Sequence, residues 1–121
     1  MALEALARLR AERLVERGEL IPHVDAVSEI VRRYLGDRFG FDGLEATTRE
    51  IQRALRAVVP PLPVMAEVER VLSDADLVKF AKMPPDADGC TKLLALAETI
   101  VHATIPASLA PGEAGVGEAT S

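Results

Sequence analysis

A chain of 121 residues can bury about two thirds of its unfolded surface, enough for one domain with its own core. Hydrophobic residues make up 49%, yet there is no Trp and one Tyr, so the core must be built from Leu, Val, Ile and Ala. That composition suits helix-on-helix packing and speaks against a β-sandwich. The 14 basic and 19 acidic residues leave a net charge of −5, which argues against general nucleic-acid affinity. Cys90 is alone, so neither an intrachain disulfide nor a thiolate metal cage can form.

Residues 2–17 are nearly all strong helix formers and predict a first helix, with Gly18 as its stop. Its apolar stripe of Leu3, Leu6 and Leu14 is thin, so it is expected to pack on one side only, or against a neighbour outside this chain. A second helix begins near Pro22, with Val24, Val27, Val31, Tyr34 and Leu35 on one face. Three glycines in residues 36–43 predict its end in a turn, docked by Phe39 and Phe41.

Thr47-Thr48-Arg49-Glu50 has the form of a capping box. Behind it Ile51, Ala54, Leu55 and Val58 follow the spacing of one helical face, and Pro60-Pro61 should end that third helix. A fourth runs from about Pro63 to Ser73, with Val64, Val68, Val71 and Leu72 inward. Residues 77–81 are either its continuation or a separate turn, in which Leu77, Phe80 and Ala81 bury while Asp76 pairs with Lys79. Asp86 or Asp88 caps the last helix, whose face is Leu93, Ala97, Ile100, Val101 and Thr104, and Pro106 stops it. The expected architecture is an all-α bundle of four to five helices over residues 1–105. Residues 106–121 are expected to form a disordered tail.

Few residues offer chemistry. Asp86-Ala87-Asp88-Gly89 resembles the opening of a calcium loop, but its glycine comes two positions early and the twelfth position is Ala97 where a Glu is required. A helix cap is the expected role. His23 and His102 lack a companion ligand four residues away, and both read as structural. Cys90 has no base near it in sequence and reads as a small packing residue. No phosphate-cradling glycine loop is present, since Gly115-Val116-Gly117 belongs to the tail. No catalytic residue, cofactor or metal ligand is nominated.

The ordered charged feature is Arg49, Arg53 and Arg56, opposite Ile51, Leu55 and Val58. Such a face is commonly solvated and partly paired, here with Glu45 and Glu50. It would also serve an acidic protein surface or, as a recognition helix, DNA. Arg49, Arg53 and Arg56, with Asp76 and Lys79, form the candidate interaction surface.

Two stretches carry a family resemblance. Val27-Ser28-Glu29-Ile30-Val31-Arg32-Arg33-Tyr34-Leu35-Gly36-Asp37-Arg38-Phe39-Gly40 is followed by Glu45-Ala46-Thr47-Thr48-Arg49-Glu50-Ile51, and further on by Ala75-Asp76-Leu77-Val78-Lys79-Phe80-Ala81. Together, over about residues 2–104, they resemble the helical cytoplasmic domain of bacterial Bat-type (aerotolerance, BatD-like) membrane proteins. The resemblance implies a non-enzymatic module that works with MoxR-type AAA+ ATPases and von Willebrand factor A-domain proteins. It also implies a place on the cytoplasmic face of the inner membrane, with an anchor upstream of Met1 and residues 2–17 descending from the bilayer. The four Arg of that first helix suit such a position, and its three Glu dilute the signal.

Overall fold

Residues 2–59 and 61–105 are described by a computed structural model, and they contain five helices and no strand. The expected all-α bundle is what forms. The helices are α1 (Ala2–Glu12), α2 (Leu20–Phe39), α3 (Thr48–Arg56), α4 (Met65–Ala81) and α5 (Ala87–Thr104). The expected tail, with Pro106 and Gly115 to Gly117, lies outside the described residues, as do Met1 and Pro60.

The long α2 is the centre of the packing. Val24, Val27, Val31 and Leu35 recur at helical spacing and are buried, and α2 touches α1, α4 and α5. Val68, Val71, Leu72 and Val78 of α4 meet Leu93, Ala97, Ile100 and Val101 of α5 in the same core. Tyr34 and Thr104 tie α2 to the end of α5: their hydroxyls are 3.0 Å apart, while Thr104 donates to the Ile100 carbonyl at 2.7 Å.

Three boundaries differ from the sequence reading, the first two because packing overrides local preference. The first helix stops at Glu12 rather than residue 17, and Arg13 takes a left-handed φ of 56°. Had the helix continued, Leu14 would lie about 80° around the axis from Leu6 and about 140° from Leu9, the two buried residues of α1. The break lets Leu14 bury instead. In the second case α2 runs through Gly36 to Phe39 and closes on Gly40 at φ 84°, whose N–H bonds the Gly36 carbonyl. Gly36 therefore serves a close approach rather than a turn. The following loop lies flat against α2, so a Cβ on Gly36 would strike the Phe41 carbonyl, and one on Gly43 the Arg32 carbonyl. Arg32 fastens this loop by donating from Nε to the Gly43 carbonyl at 2.9 Å and from its guanidinium Nη2 to the Ala46 carbonyl. Lastly, α3 ends at Arg56, before the prolines, with Ala57 as its cap.

The first helix bears on two expectations. Leu6 and Leu9 are buried against the bundle, with α1 packed on both α2 and α5. Arg10 forks onto the Glu98 carboxylate of α5 at 2.9 and 3.0 Å. The thin stripe is thus covered within this chain. The placement at the cytoplasmic face of an inner membrane is likewise corrected: among the described residues no helix is long and apolar enough to cross a membrane. The helix read as descending from a bilayer is a working part of the core.

Candidate interaction surface

The third helix is set by its own sequence. The Thr47 hydroxyl accepts from the Glu50 N–H at 3.1 Å, and the Glu50 carboxylate accepts from the Thr47 N–H at 2.9 Å. This is the expected capping box, and it fixes where the helix begins. Ile51 and Leu55 then bury against the bundle, chiefly on α4, and the opposite face is left to water.

Arg49, Arg53 and Arg56 are all exposed there. Arg56 reaches across to Glu69 of α4 at 3.1 Å. Arg49 and Arg53 make no ion pair among the described residues. The expected partners do not supply one: Glu50 is occupied in the capping box, and Glu45 bonds through its backbone to Asp42.

Residues 77–81 complete α4 as one continuous helix, and Leu77, Phe80 and Ala81 do not bury as expected. Extending the buried stripe Val68, Val71, Ala75 and Val78 puts Leu77 about 180° from Val68 and Phe80 about 120° from it. Leu77 is 47% exposed and Phe80 77% exposed, and Ala81 is exposed as well. Asp76 and Lys79 do not pair either. The Lys79 ammonium instead lies 5.4 Å from the centre of the Phe80 ring, within cation–π range. The helix closes with Lys82 in a left-handed conformation (φ 55°), donating to Val78 at 3.0 Å, and with Met83 donating to the Leu77 carbonyl at 3.2 Å. That closure returns Met83, 61% exposed, to the vicinity of Leu77.

The two helices border a shallow groove of about 450 Å³, with Thr48 and Gln52 on the α3 side and Ser73, Asp76, Leu77, Phe80 and Ala81 on the α4 side. Arg49, Gln52 and Arg56, three and four residues apart, form one ridge along its edge. Of the five candidate residues the structure brings Asp76 into the groove lining, with Arg49 and Arg56 on the ridge of α3 that carries Gln52. It puts Arg53 further around α3 and Lys79 on the far side of Phe80. Leu77 and Phe80 are the residues that sequence reading misplaced. Carrying the i, i+3, i+4, i+7 register of α4 through to residue 81 would have found them.

Two other features are less open. A larger hollow of about 630 Å³ between α1, α2 and α5 is floored by Leu3, Ile30, Val101 and Ile105. Its cations are engaged, Arg33 with Glu29 at 3.3 Å and Arg38 with the Thr104 carbonyl at 2.9 Å. Near the other end of the bundle, buried His23 donates from Nε2 to the Cys90 carbonyl at 2.8 Å. The Cys90 side chain is buried and its Sγ lies 3.5 Å from the Pro85 carbonyl. Burial pushes the Cys90 thiol above its ordinary pKa, and the carboxylates of Asp74 and Asp86 push it further the same way. The side chain is held as a thiol, the protonation state opposite to that of a nucleophile. Asp86 caps α5 as expected, accepting from the Gly89 N–H at 2.8 Å. Among the described residues no group of three or more His, Cys, Asp or Glu could hold a metal ion.

No family model matches the chain, and no curated protein or solved structure matches it significantly.

Proposed function

We propose that this chain is a non-enzymatic protein-interaction module that docks its partner on the α3–α4 groove. One observation carries the reading. Among the described helices, Leu77 and Phe80 are the large hydrophobic residues left exposed, together on α4 and beside the Lys79 ammonium. Apolar side chains grouped with cations on an open edge are what a protein interface needs at its centre and rim. The partner follows from the resemblance to Bat-type domains: a MoxR-type AAA+ ATPase, or a von Willebrand factor A-domain protein that works with one. Surface plasmon resonance of the purified chain over an immobilised ATPase, with and without nucleotide, tests this. Binding in either state supports the assignment, and silence in both overturns it.

A DNA-binding reading uses Arg49, Arg53 and Arg56, with α3 as the recognition helix. It predicts retardation of duplex DNA that weakens with salt and with Arg53→Ala. The exposed Leu77 and Phe80 favour protein over nucleic acid, since a phosphate backbone gives them nothing to bury against. Absence of retardation at low salt removes this alternative.

A further inference from the structure

We propose that residues 106–110, the stretch of chain that follows α5, lie in the hollow between α1, α2 and α5 and cover its apolar floor. The inference is independent of the α3–α4 groove. Leu3, Ile30, Tyr34, Val101 and Ile105, with two alanines, make up most of the wall of this hollow of about 630 Å³. The bundle does not close over them: Leu3, Ile30, Tyr34 and Ile105 are left half-buried. The remaining wall is Glu29, Arg33, Asp37 and Arg38, two carboxylates against two guanidiniums. Arg33 is paired with Glu29, and Arg38 is bound to the Thr104 carbonyl. A neutral, apolar occupant therefore fits, and a charged one meets no unbalanced charge.

The chain supplies such an occupant at the lip of the hollow. Ile105, the last described residue, is at once the cap of α5 and part of the wall. Its N–H still bonds the Val101 carbonyl at 2.9 Å, but its φ of −64° and ψ of 134° are extended backbone. Pro106 requires that turn out of the helix, since the residue before a proline is driven from the helical region. In extended chain successive side chains alternate sides, so Ala107 and Leu109 share the side of Ile105 while Ser108 faces away.

Reach and charge agree with this placement. Four extended residues span about 13 Å, and packed helix axes are about 8–10 Å apart, so Leu109 can cross from α5 to α1. Residues 106–112 carry no charge, and Leu109 is their one large aliphatic side chain; the next in the sequence is Val116. Because the segment is joined to α5, docking is intramolecular, at an effective concentration on the order of millimolar. It needs far less contact than a separate peptide would.

Tyr34 provides the readout. It is the single Tyr of a chain without Trp, and it lines the hollow, so the intrinsic fluorescence of the whole chain reports on that site. Acrylamide quenching is compared for the unmodified chain, Leu109→Ser and Val116→Ser, with thermal melts to confirm that each folds. Leu109→Ser should lower the ratio of docked to open chain by about tenfold or more, the factor carried by one leucine side chain withdrawn from apolar cover. Quenching of Tyr34 should rise accordingly, and Val116→Ser should leave it unchanged. Nuclear Overhauser contacts from the Leu109 methyls to Leu3 or Ile30 should appear in the unmodified chain. Equal quenching in the unmodified chain and Leu109→Ser overturns the inference, as do equal effects of the two variants or the absence of those methyl contacts. So does shielding of Tyr34 that fades on dilution, because the occupant would then be a second copy of this chain.

Discussion

The bundle carries a short, arginine-rich helix on each flank, and the two meet opposite fates. Helix α1 buries Leu6 and Leu9 between α2 and α5, and its Arg10 finds the Glu98 carboxylate waiting on α5. Helix α3 buries Ile51 and Leu55, but of its three arginines only Arg56 finds a carboxylate on α4, that of Glu69, among the described residues. The same helix that receives it turns Leu77 and Phe80 outward. A helix with two packed neighbours is part of the core, whereas a helix with one leaves an edge. The closed flank holds the fold together and the open flank remains available to something else.

The sharpest way to break that comparison is in the closed flank. Leu6→Ala removes a fully buried side chain and should cost about 2–5 kcal/mol, read from urea denaturation. A cost under 1 kcal/mol would show that α1 is dispensable and that the two flanks are alike. Cys90 tests the interior to which the closed flank belongs. Its raised pKa means the folded state holds the thiol proton more tightly than the unfolded chain does. Stability is therefore intact below the ordinary thiol value, and above it falls by up to about 1.4 kcal/mol per pH unit until the folded thiol also ionises. Denaturation curves from neutral to alkaline pH should show this decline, and Cys90→Ala should flatten it.

Effects on the open flank are smaller. Thr47→Ala removes the cap of α3 and should cost about 1 kcal/mol. Hydrogen exchange should report the loss mainly at α3 amides, with α1 unaffected. Phe80→Ala should change stability by no more than about 0.5 kcal/mol, as expected of an exposed site without a fold-related duty. A large loss there would mean that Phe80 serves the core after all, and the contrast between flanks would collapse.

Much of this was legible in advance where the signal is local. The Thr47–Glu50 box and the Asp86 cap depend on side chains reaching backbone within three residues, and both stand where the sequence put them. The spacing of Val24, Val27, Val31 and Leu35 identified the buried face of α2 because period 3.6 is a property of the strand of residues itself. Of the candidate surface, the exposure of Arg49, Arg53 and Arg56 followed from the same periodicity. The pairing of Asp76 with Lys79 did not occur, and the burial of Leu77 and Phe80 was the reverse of what forms. A hydrophobic residue near a helix end carries no mark of which side its neighbours will occupy.

The sequence by itself determined that the chain is helical, where three of its helices take their caps or faces, and that Cys90 stands alone. Only the tertiary structure decided the rest. The thin stripe of α1 is closed by α2 and α5, Gly36 serves a close approach inside a helix, and Arg56 finds a partner while Arg49 and Arg53 do not. The reason is physical. Caps and amphipathic faces act over a few residues of chain, whereas cover for an apolar side chain or a carboxylate for a cation must come from an element distant in sequence, and its position exists only once the bundle has packed.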